Sequence, residues 1–357
     1  MRLVVFTILF LIGTSTFAQN DFYKLNFGLQ SAIGFAWAHD DKVSTIKDTY
    51  LSNLTFEISK YHFGNMAEKL CKKGYYNGFQ FSYFRFNNDI LGHSYIASYF
   101  LEPILLKTEN IKLSLRAALG LAYANNPHDS ITNPLNKNYS LCVNPYLNLG
   151  LNVRYQINGG SAIKACVHYN HISNGNIQDP NYGLNFPSMS LGIEKTINTY
   201  KNTQKIIDEK SNWRLDLTLF ASNKSSTLSL KDRFWVYGLG LNLSRKVNLL
   251  HTYTIGAECM ADESVRFLYQ MELRKGRSFY RLGANVGHEF LLGSKFIFSQ
   301  QIGVYIFNQT PYISWIYHRW GLNYKLTENI MIGSNLLVDL QKANFLDLRM
   351  TYSIIKK

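Results

Sequence analysis

The residues of this chain whose types and spacing could do chemistry lie between positions 171 and 185. His171 and Ser173 are two residues apart, so in a β-strand they share one face, because side chains alternate with a period of two. A base beside a hydroxyl nucleophile is the minimum that a serine hydrolase needs. The Asn, Gly and Pro residues that follow favour a tight loop, which would return the chain antiparallel and bring Asn185 near the pair. The segment therefore predicts acyl transfer by a group of three side chains.

The first eighteen residues have the pattern of a secretory signal. Arg2 gives a positive start, residues 3–13 are a short apolar run, and Thr16 and Ala18 are small residues before a cleavage site. The run is shorter than the roughly 20 apolar residues that span a bilayer. We expect cleavage after Ala18 and a mature chain that begins at Gln19.

Composition favours an exported β-protein. Hydrophobic residues make up 46% of the chain and aromatic residues 15%, with only 17% charged, against about 25% in an average protein. After the signal there is no long apolar run, so the apolar residues must be distributed by alternation. Cys71, Cys142, Cys166 and Cys259 are too few and too scattered for a disulfide scaffold or a zinc site, and we expect no metal and no cofactor.

The net charge of +13 admits two interpretations. Solvated loops and turns would explain it without function. Alternatively, it would attract the chain to an anionic membrane surface that carries phosphates. A nucleic-acid partner is not expected, because the chain is exported and has no recognition motif.

Alternation predicts the fold class. Apolar residues recur at every second position in several long segments, with polar or small residues between them: 113–123, 147–155, 215–219, 239–243 and 346–352. A soluble β-sandwich also alternates, but rarely places Arg and Asp so often on its second face. Long strands that are apolar outside and polar inside predict an all-β, antiparallel transmembrane barrel of the bacterial outer membrane.

Connection lengths predict the topology. Short turns (107–110, 158–160, 245–248, 292–295 and 326–329) alternate with longer loops (125–140, 174–186, 223–232 and 260–278), as periplasmic turns and external loops do in such barrels. Segments 65–73 and 201–211 are long for the periplasmic side, and 263–275 fits either a short helix or a strand. We expect one barrel domain over residues 19–357 with an even count of about 12 to 16 strands.

Parity places the candidate site on the outside of the barrel. His171 and Ser173 continue the apolar set of their strand, which includes Tyr169, whereas His168 and Asn170 have the lumen parity and are interpreted as structural. Asn185 has the outward parity of the next strand. The three residues should meet near the outer end of neighbouring strands, at the boundary of acyl chains and head groups.

The segment also resembles a known family. His171-Ile-Ser173-Asn174-Gly175, followed by Pro180-Asn181-Tyr-Gly183-Leu-Asn185, is similar without a gap to the active-site segment of the lipid A 3-O-deacylases (PagL-type). These outer-membrane barrels remove an ester-linked acyl chain from lipopolysaccharide. Asn133-Pro134-x-Asn136 also resembles the related acyloxyacyl hydrolases, and the resemblance covers residues 24–198.

The resemblance implies roles for individual residues. Ser173 would be the nucleophile and His171 the base, with Asn174 and Asn181 as candidates for holding the oxyanion. The implied partner is lipid A in lipopolysaccharide, together with outer-membrane lipid. Two departures stand out: Asn185 occupies the position of the family's glutamate, and the chain is about twice as long as the eight-stranded family enzymes.

Two alternatives stay open at this point. A non-catalytic barrel, porin-like or structural, would also have small and polar lumen residues. A phospholipase would use the same three residues on a different ester.

Overall fold

The computed structural model of the chain describes residues 21–202, 213–226, 229–247, 250–272, 276–292, 295–310, 313–340 and 342–356. The predicted signal peptide and its cleavage site after Ala18 lie outside these ranges. The described residues are organised almost entirely as antiparallel β-strands.

The first eight strands close into one barrel, in the order β1 to β8. They are β1 (Asp21–Phe35), β2 (Tyr50–Gly64), β3 (Tyr75–Phe86), β4 (His93–Lys107), β5 (Ile111–Ala124), β6 (Val143–Asn158), β7 (Ser161–Ile172) and β8 (Leu184–Asn202). Closure comes from pairing of β1 with β8, in a register that sets Asp21 opposite Asn202. A 3-10 helix, Asp41–Ile46, lies in the connection after β1, and helix α1 (Asn65–Cys71) follows β2.

The next eight strands close into a second barrel, in which β16 pairs with β9. They are β9 (Trp213–Ser226), β10 (Ser229–Lys246), β11 (His251–Asp262), β12 (Tyr280–Leu292), β13 (Phe296–Asn308), β14 (Ile316–Lys325), β15 (Ile330–Asp339) and β16 (Lys342–Lys356). Helix α2 (Glu263–Met271) connects β11 to β12, which decides between the helix and the strand that the sequence allowed there. No helix among the described residues is long and apolar enough to cross a membrane.

The prediction of an antiparallel outer-membrane β-barrel fold is confirmed, but the prediction of a single barrel is wrong. The described residues contain sixteen strands in two closed barrels of eight. Alternation shows which way each side chain points and says nothing about which strand closes on which. Closure depends on the pairing of β1 with β8 and of β9 with β16, which are far apart in sequence.

The long loops match expectation in the first barrel and differ in the second. Residues 125–142 and 173–183 connect strands, where loops were predicted at 125–140 and 174–186; the last three residues of the second prediction, 184–186, belong to β8. The predicted loop 223–232 is mostly strand, since β9 extends to Ser226 and β10 begins at Ser229. Segment 65–73, which looked long for a turn, is accounted for largely by α1.

Both barrels have apolar exteriors and charged interiors. Leu149, Leu191 and Leu217 are among the exposed outward residues, at 58%, 65% and 51%. In the first lumen Arg116 lies 2.7 Å from Glu102 and also pairs with Glu57. In the second lumen Arg319 lies 2.8 Å from Glu258 and 2.7 Å from Asp347. The interior of an eight-stranded barrel is just wide enough for side chains to fill, so these ion pairs fill the space that a channel would need.

Candidate active site

Strand pairing brings two of the three predicted site residues together. In the register of β7 against β8, His171 lies directly opposite Asn185. Side chains directly opposite each other in an antiparallel pair lie on the same face, with Cβ atoms about 5 Å apart. The contact therefore follows from the register in which β7 and β8 pair.

The side chains of Asn185, His171 and Ser173 form one hydrogen-bonded chain. Nδ1 of His171 lies 2.6 Å from Oδ1 of Asn185, and Nε2 of His171 lies 2.9 Å from Oγ of Ser173. Both distances are within the range at which a base can accept a proton from a nucleophile. Both ring nitrogens of His171 are thus engaged, one by an orienting group and one by a hydroxyl.

This arrangement fixes which nitrogen of His171 carries the proton. Oδ1 of Asn185 can only accept, so His171 donates to it from Nδ1–H. Nε2 is then unprotonated and accepts from the Ser173 hydroxyl. This is the tautomer that a serine hydrolase needs in its base.

The site lies on the outward face of the first barrel, where parity placed it. Burial alternates along β7, with Tyr169 exposed, His171 half-buried, and His168 and Asn170 buried toward the lumen. His168 bonds Asn152 at 2.8 Å, so it belongs to the lumen network. The exposed Met189 on β8 continues the apolar surface below the site.

Asn174 and Asn181 hold the loop that follows Ser173. The backbone N–H of Asn174 donates to Oδ1 of Asn181 at 2.8 Å. The side chain of Asn174 is buried, and its Nδ2 donates to Gln178 O at 2.6 Å and to Oγ of Ser140 at 3.2 Å. Both residues lie beside Ser173, and in this structure the bonds named here serve the loop. Their role toward an oxyanion stays a prediction.

Gly183 makes room for the imidazole of His171. Its φ is +77°, a left-handed conformation that favours glycine, and a Cβ there would lie 2.7 Å from Cε1 of His171. Its backbone N–H donates to Asn138 O at 2.8 Å, which holds it over the ring. Gly183 therefore contributes to the site by leaving space for the His171 ring, and its side chain supplies no functional group.

His39 is a site residue that sequence reasoning missed. It lies after β1, and its Nδ1 is 3.0 Å from Nδ2 of Asn185. The backbone of Trp37 donates to Asn185 O at 2.8 Å and extends the sheet toward His39. The only local signal in the sequence is a histidine shortly after the end of β1. Such a residue does not predict a partner 146 residues away.

Comparison with known families agrees with the two-barrel division. Residues 56–194 match the family model for lipid A 3-O-deacylase (PagL), within the first barrel. Residues 213–357 match the acyloxyacyl hydrolase C-terminal domain, over the second barrel. The chain is therefore similar to the lipid A 3-O-deacylase (PagL) family in its first barrel and to the acyloxyacyl hydrolase C-terminal domain in its second. Asn185, where the resembled motif has a glutamate, lies within the first match, and the second barrel accounts for the additional length.

Comparison with individual proteins gives weaker similarity. No curated protein matches the chain. The crystal structure of Neisserial surface protein A is 14% identical and covers 50% of this chain and 100% of its own, with a TM-score of 0.30. A mutant of Rh. blastica porin is 10% identical and covers 93% of this chain and 100% of its own, with a TM-score of 0.18.

Proposed function

We propose that the chain is a serine esterase of the bacterial outer membrane, which hydrolyses an ester-linked acyl chain of lipid A at the outer leaflet. The observation that carries the proposal is the hydrogen-bonded chain Asn185–His171–Ser173 on the outward face of the barrel that matches the deacylase family. The apolar exterior of both barrels supports placement in the outer membrane.

The reaction follows the logic of other serine hydrolases. Nε2 of His171 takes the proton of the Ser173 hydroxyl as Oγ attacks the acyl carbonyl. The bond between the acyl carbon and the alcohol oxygen of lipid A then breaks, and the imidazolium gives its proton to that leaving oxygen. Water, which loses a proton to the same imidazole, then attacks the acyl carbon. The bond from that carbon to Oγ of Ser173 breaks, the fatty acid leaves, and the imidazolium returns the proton to Oγ.

Asn185 would orient the base without supplying a charge. An asparagine carbonyl holds the imidazole in Cys-His-Asn proteases in the same way. It does not neutralise the imidazolium that forms in the transition state, so we expect a weaker base than with the family's glutamate. The oxyanion would be held by amide donors next to Ser173, for which Asn174 and Asn181 are the proposed source.

The position of the site suits a lipid substrate. Tyr169 and Met189 extend its face along the apolar barrel wall. An acyl chain reaching the site sideways from the bilayer would bring its ester to the polar rim, where lipid, rather than a lid, keeps water away.

The filled lumens argue against the porin-like alternative. In the first barrel Arg154 lies 3.0 Å from Glu194, and Lys164 lies 2.5 Å from Glu57 across the interior. A lumen occupied by such pairs leaves little room for a conducting column of water.

The test is release of fatty acid by purified, folded protein. Lipopolysaccharide micelles and phospholipid micelles are supplied in parallel, and Ser173→Ala is the control. We expect release from lipopolysaccharide by the wild type alone. Release only from phospholipid would favour a phospholipase, and release from neither would favour a structural barrel.

A further inference from the structure

His39 lies against Asn185 on the side away from His171. Its Nδ1 is 3.0 Å from Nδ2 of Asn185, and its Nε2 is 3.1 Å from the backbone oxygen of Tyr182. The chain of side-chain contacts at the site is therefore longer than three residues. It begins at a main-chain carbonyl and ends at the Ser173 hydroxyl.

For a neutral His39, the shorter contacts select one arrangement of this chain: Nδ1 lies 3.0 Å from Nδ2 of Asn185 and 3.3 Å from the backbone oxygen of Trp37. The carbonyl of Tyr182 can only accept, so Nε2 of His39 carries the proton. Nδ1 of the neutral ring is then an acceptor, and Nδ2 of Asn185 donates to it. This turns Oδ1 of Asn185 toward His171, whose Nδ1–H donates to it.

Hydrogen bonds that fix the orientation of the side chain matter more for an asparagine than for a carboxylate. Both oxygens of a carboxylate accept, whereas an amide rotated by 180° presents N–H groups to the histidine. In a serine protease, replacing the triad aspartate by asparagine lowers kcat by about 10⁴ because the histidine takes the wrong tautomer. A chain with asparagine at this position needs another group to hold the amide.

We propose that His39 is that positioning residue: it fixes the amide orientation of Asn185, and through it the tautomer of His171. This role of His39 rests on the proposed function, and it explains how the site works without the glutamate of the resembled motif. Asn185 and His39 together would do what the family's single carboxylate does.

The test is a double-mutant cycle in the full chain, with lipopolysaccharide as substrate. His39→Ala should lower kcat by about 10 to 1,000-fold with little change in KM, which is less than a wrong-tautomer triad costs because the amide still samples both orientations. The same change in the Asn185→Glu background should cost less than about threefold, since a carboxylate needs no orienting. His39→Gln offers an amide oxygen to Nδ2 of Asn185 and should therefore restore most of the activity.

Two measurements keep this inference separate from the proposed function. An inactive wild type would contradict the proposed function, whereas an active wild type with equal losses in both backgrounds would overturn the role of His39. Independently of activity, ¹⁵N NMR of the histidine rings in detergent micelles should show His171 protonated at Nδ1. In His39→Ala it should show a mixture of tautomers, and an unchanged His171 would overturn the proposal.

A different observation concerns the second barrel, which contacts the loop that follows Ser173. Nδ2 of Asn176 donates to the backbone oxygen of Asn344 at 2.7 Å. Gly175 packs so closely on Leu346 and Leu336 that a Cβ would lie 3.2 Å and 3.5 Å from their side chains.

An arginine of the second barrel completes this contact. The guanidinium of Arg233 donates to the backbone oxygen of Ile177 and is held by Oδ1 of Asn223 at 2.8 Å. The contacting residues come from β10, β15 and β16, and their partners in the loop stand two to four positions after Ser173. Asn174, in contrast, is tied to Ser140 of the first barrel.

We infer that this outer edge of the second barrel is a docking surface for the nucleophile loop, so that the second half of the chain helps to set the geometry of the reaction. Misplacement of reacting groups by about 1 Å costs about a hundredfold in rate. A surface that holds residues 175–177 is close enough to Ser173 to have that effect.

Two matched variants on one face of β16 test this role. Leu346→Trp places bulk under Gly175, while Leu348→Trp stands two residues away on the same face, where the leucine is 61% exposed. We expect the first to lower kcat about 10 to 100-fold and to increase hydrogen exchange in residues 174–178, with both barrels folded. The second should stay within about twofold of the wild type. Equal behaviour of the two variants, in exchange or in rate, would overturn the inference.

Discussion

Nδ1 of His171 and Oδ1 of Asn185 lie 2.6 Å apart at directly paired positions of β7 and β8. The pairing of two rigid strands, rather than the loop between them, therefore sets the orientation of the His171 ring, which is the proposed base. Asn185 stands at the position where the motif that this segment resembles has a glutamate.

Substitution of Asn185 tests whether it orients the base. Asn185→Ala should lower fatty-acid release about 10 to 1,000-fold, less than the roughly millionfold cost of losing a nucleophile or base in a serine protease. Asn185→Glu should hold or raise the rate, because a carboxylate stabilises the imidazolium. It should also move the acid limb of the pH–rate profile upward, since the charged ring persists to higher pH. Robust activity that Asn185→Ala leaves unchanged would remove Asn185 from the site.

The two faces of β7 give a matched pair of histidines. His171→Ala should abolish nearly all activity while the barrel folds, because its side chain points outward. His168→Ala, on the lumen face, removes a bond to Asn152 and should cost activity far less. Heat-modifiable gel mobility monitors folding in both variants. Equal losses of activity at the two positions would contradict the outward placement of the site.

Gly183→Ala tests the shape of the site without removing any of its functional groups. The added Cβ would stand 2.7 Å from Cε1 of His171, at a backbone φ that disfavours alanine, so the ring must shift. We expect kcat to fall about a hundredfold. Gly159→Ala is the control, since a Cβ there meets nothing within 4 Å. Full activity of Gly183→Ala would show that the imidazole tolerates displacement.

The strand pattern and the outward parity of His171, Ser173 and Asn185 were predictable from sequence because side-chain direction has a period of two. The division into two barrels was not, because no local pattern records that β8 returns to β1. His39 was not predictable either. It reaches Asn185 through closure of the same barrel, since β1 and β8 become neighbours only when the sheet closes.

The lumen network should matter for stability and not for chemistry. Arg116→Met would leave Glu57 and Glu102 buried without their shared partner. Breaking a buried ion pair costs about 3 to 5 kcal/mol. We expect a lower urea midpoint in detergent or lipid vesicles and near-normal activity of the fraction that folds. An unchanged midpoint would show that water or neighbouring groups satisfy the two carboxylates.

The most direct test of the proposed function is the mass of lipid A from bacteria that express the wild-type chain or Ser173→Ala at equal levels in the outer membrane. We expect lipid A from cells with the wild type to lack one ester-linked acyl chain, and lipid A from cells with Ser173→Ala to keep it. Identical lipid A from the two strains would contradict the proposed function.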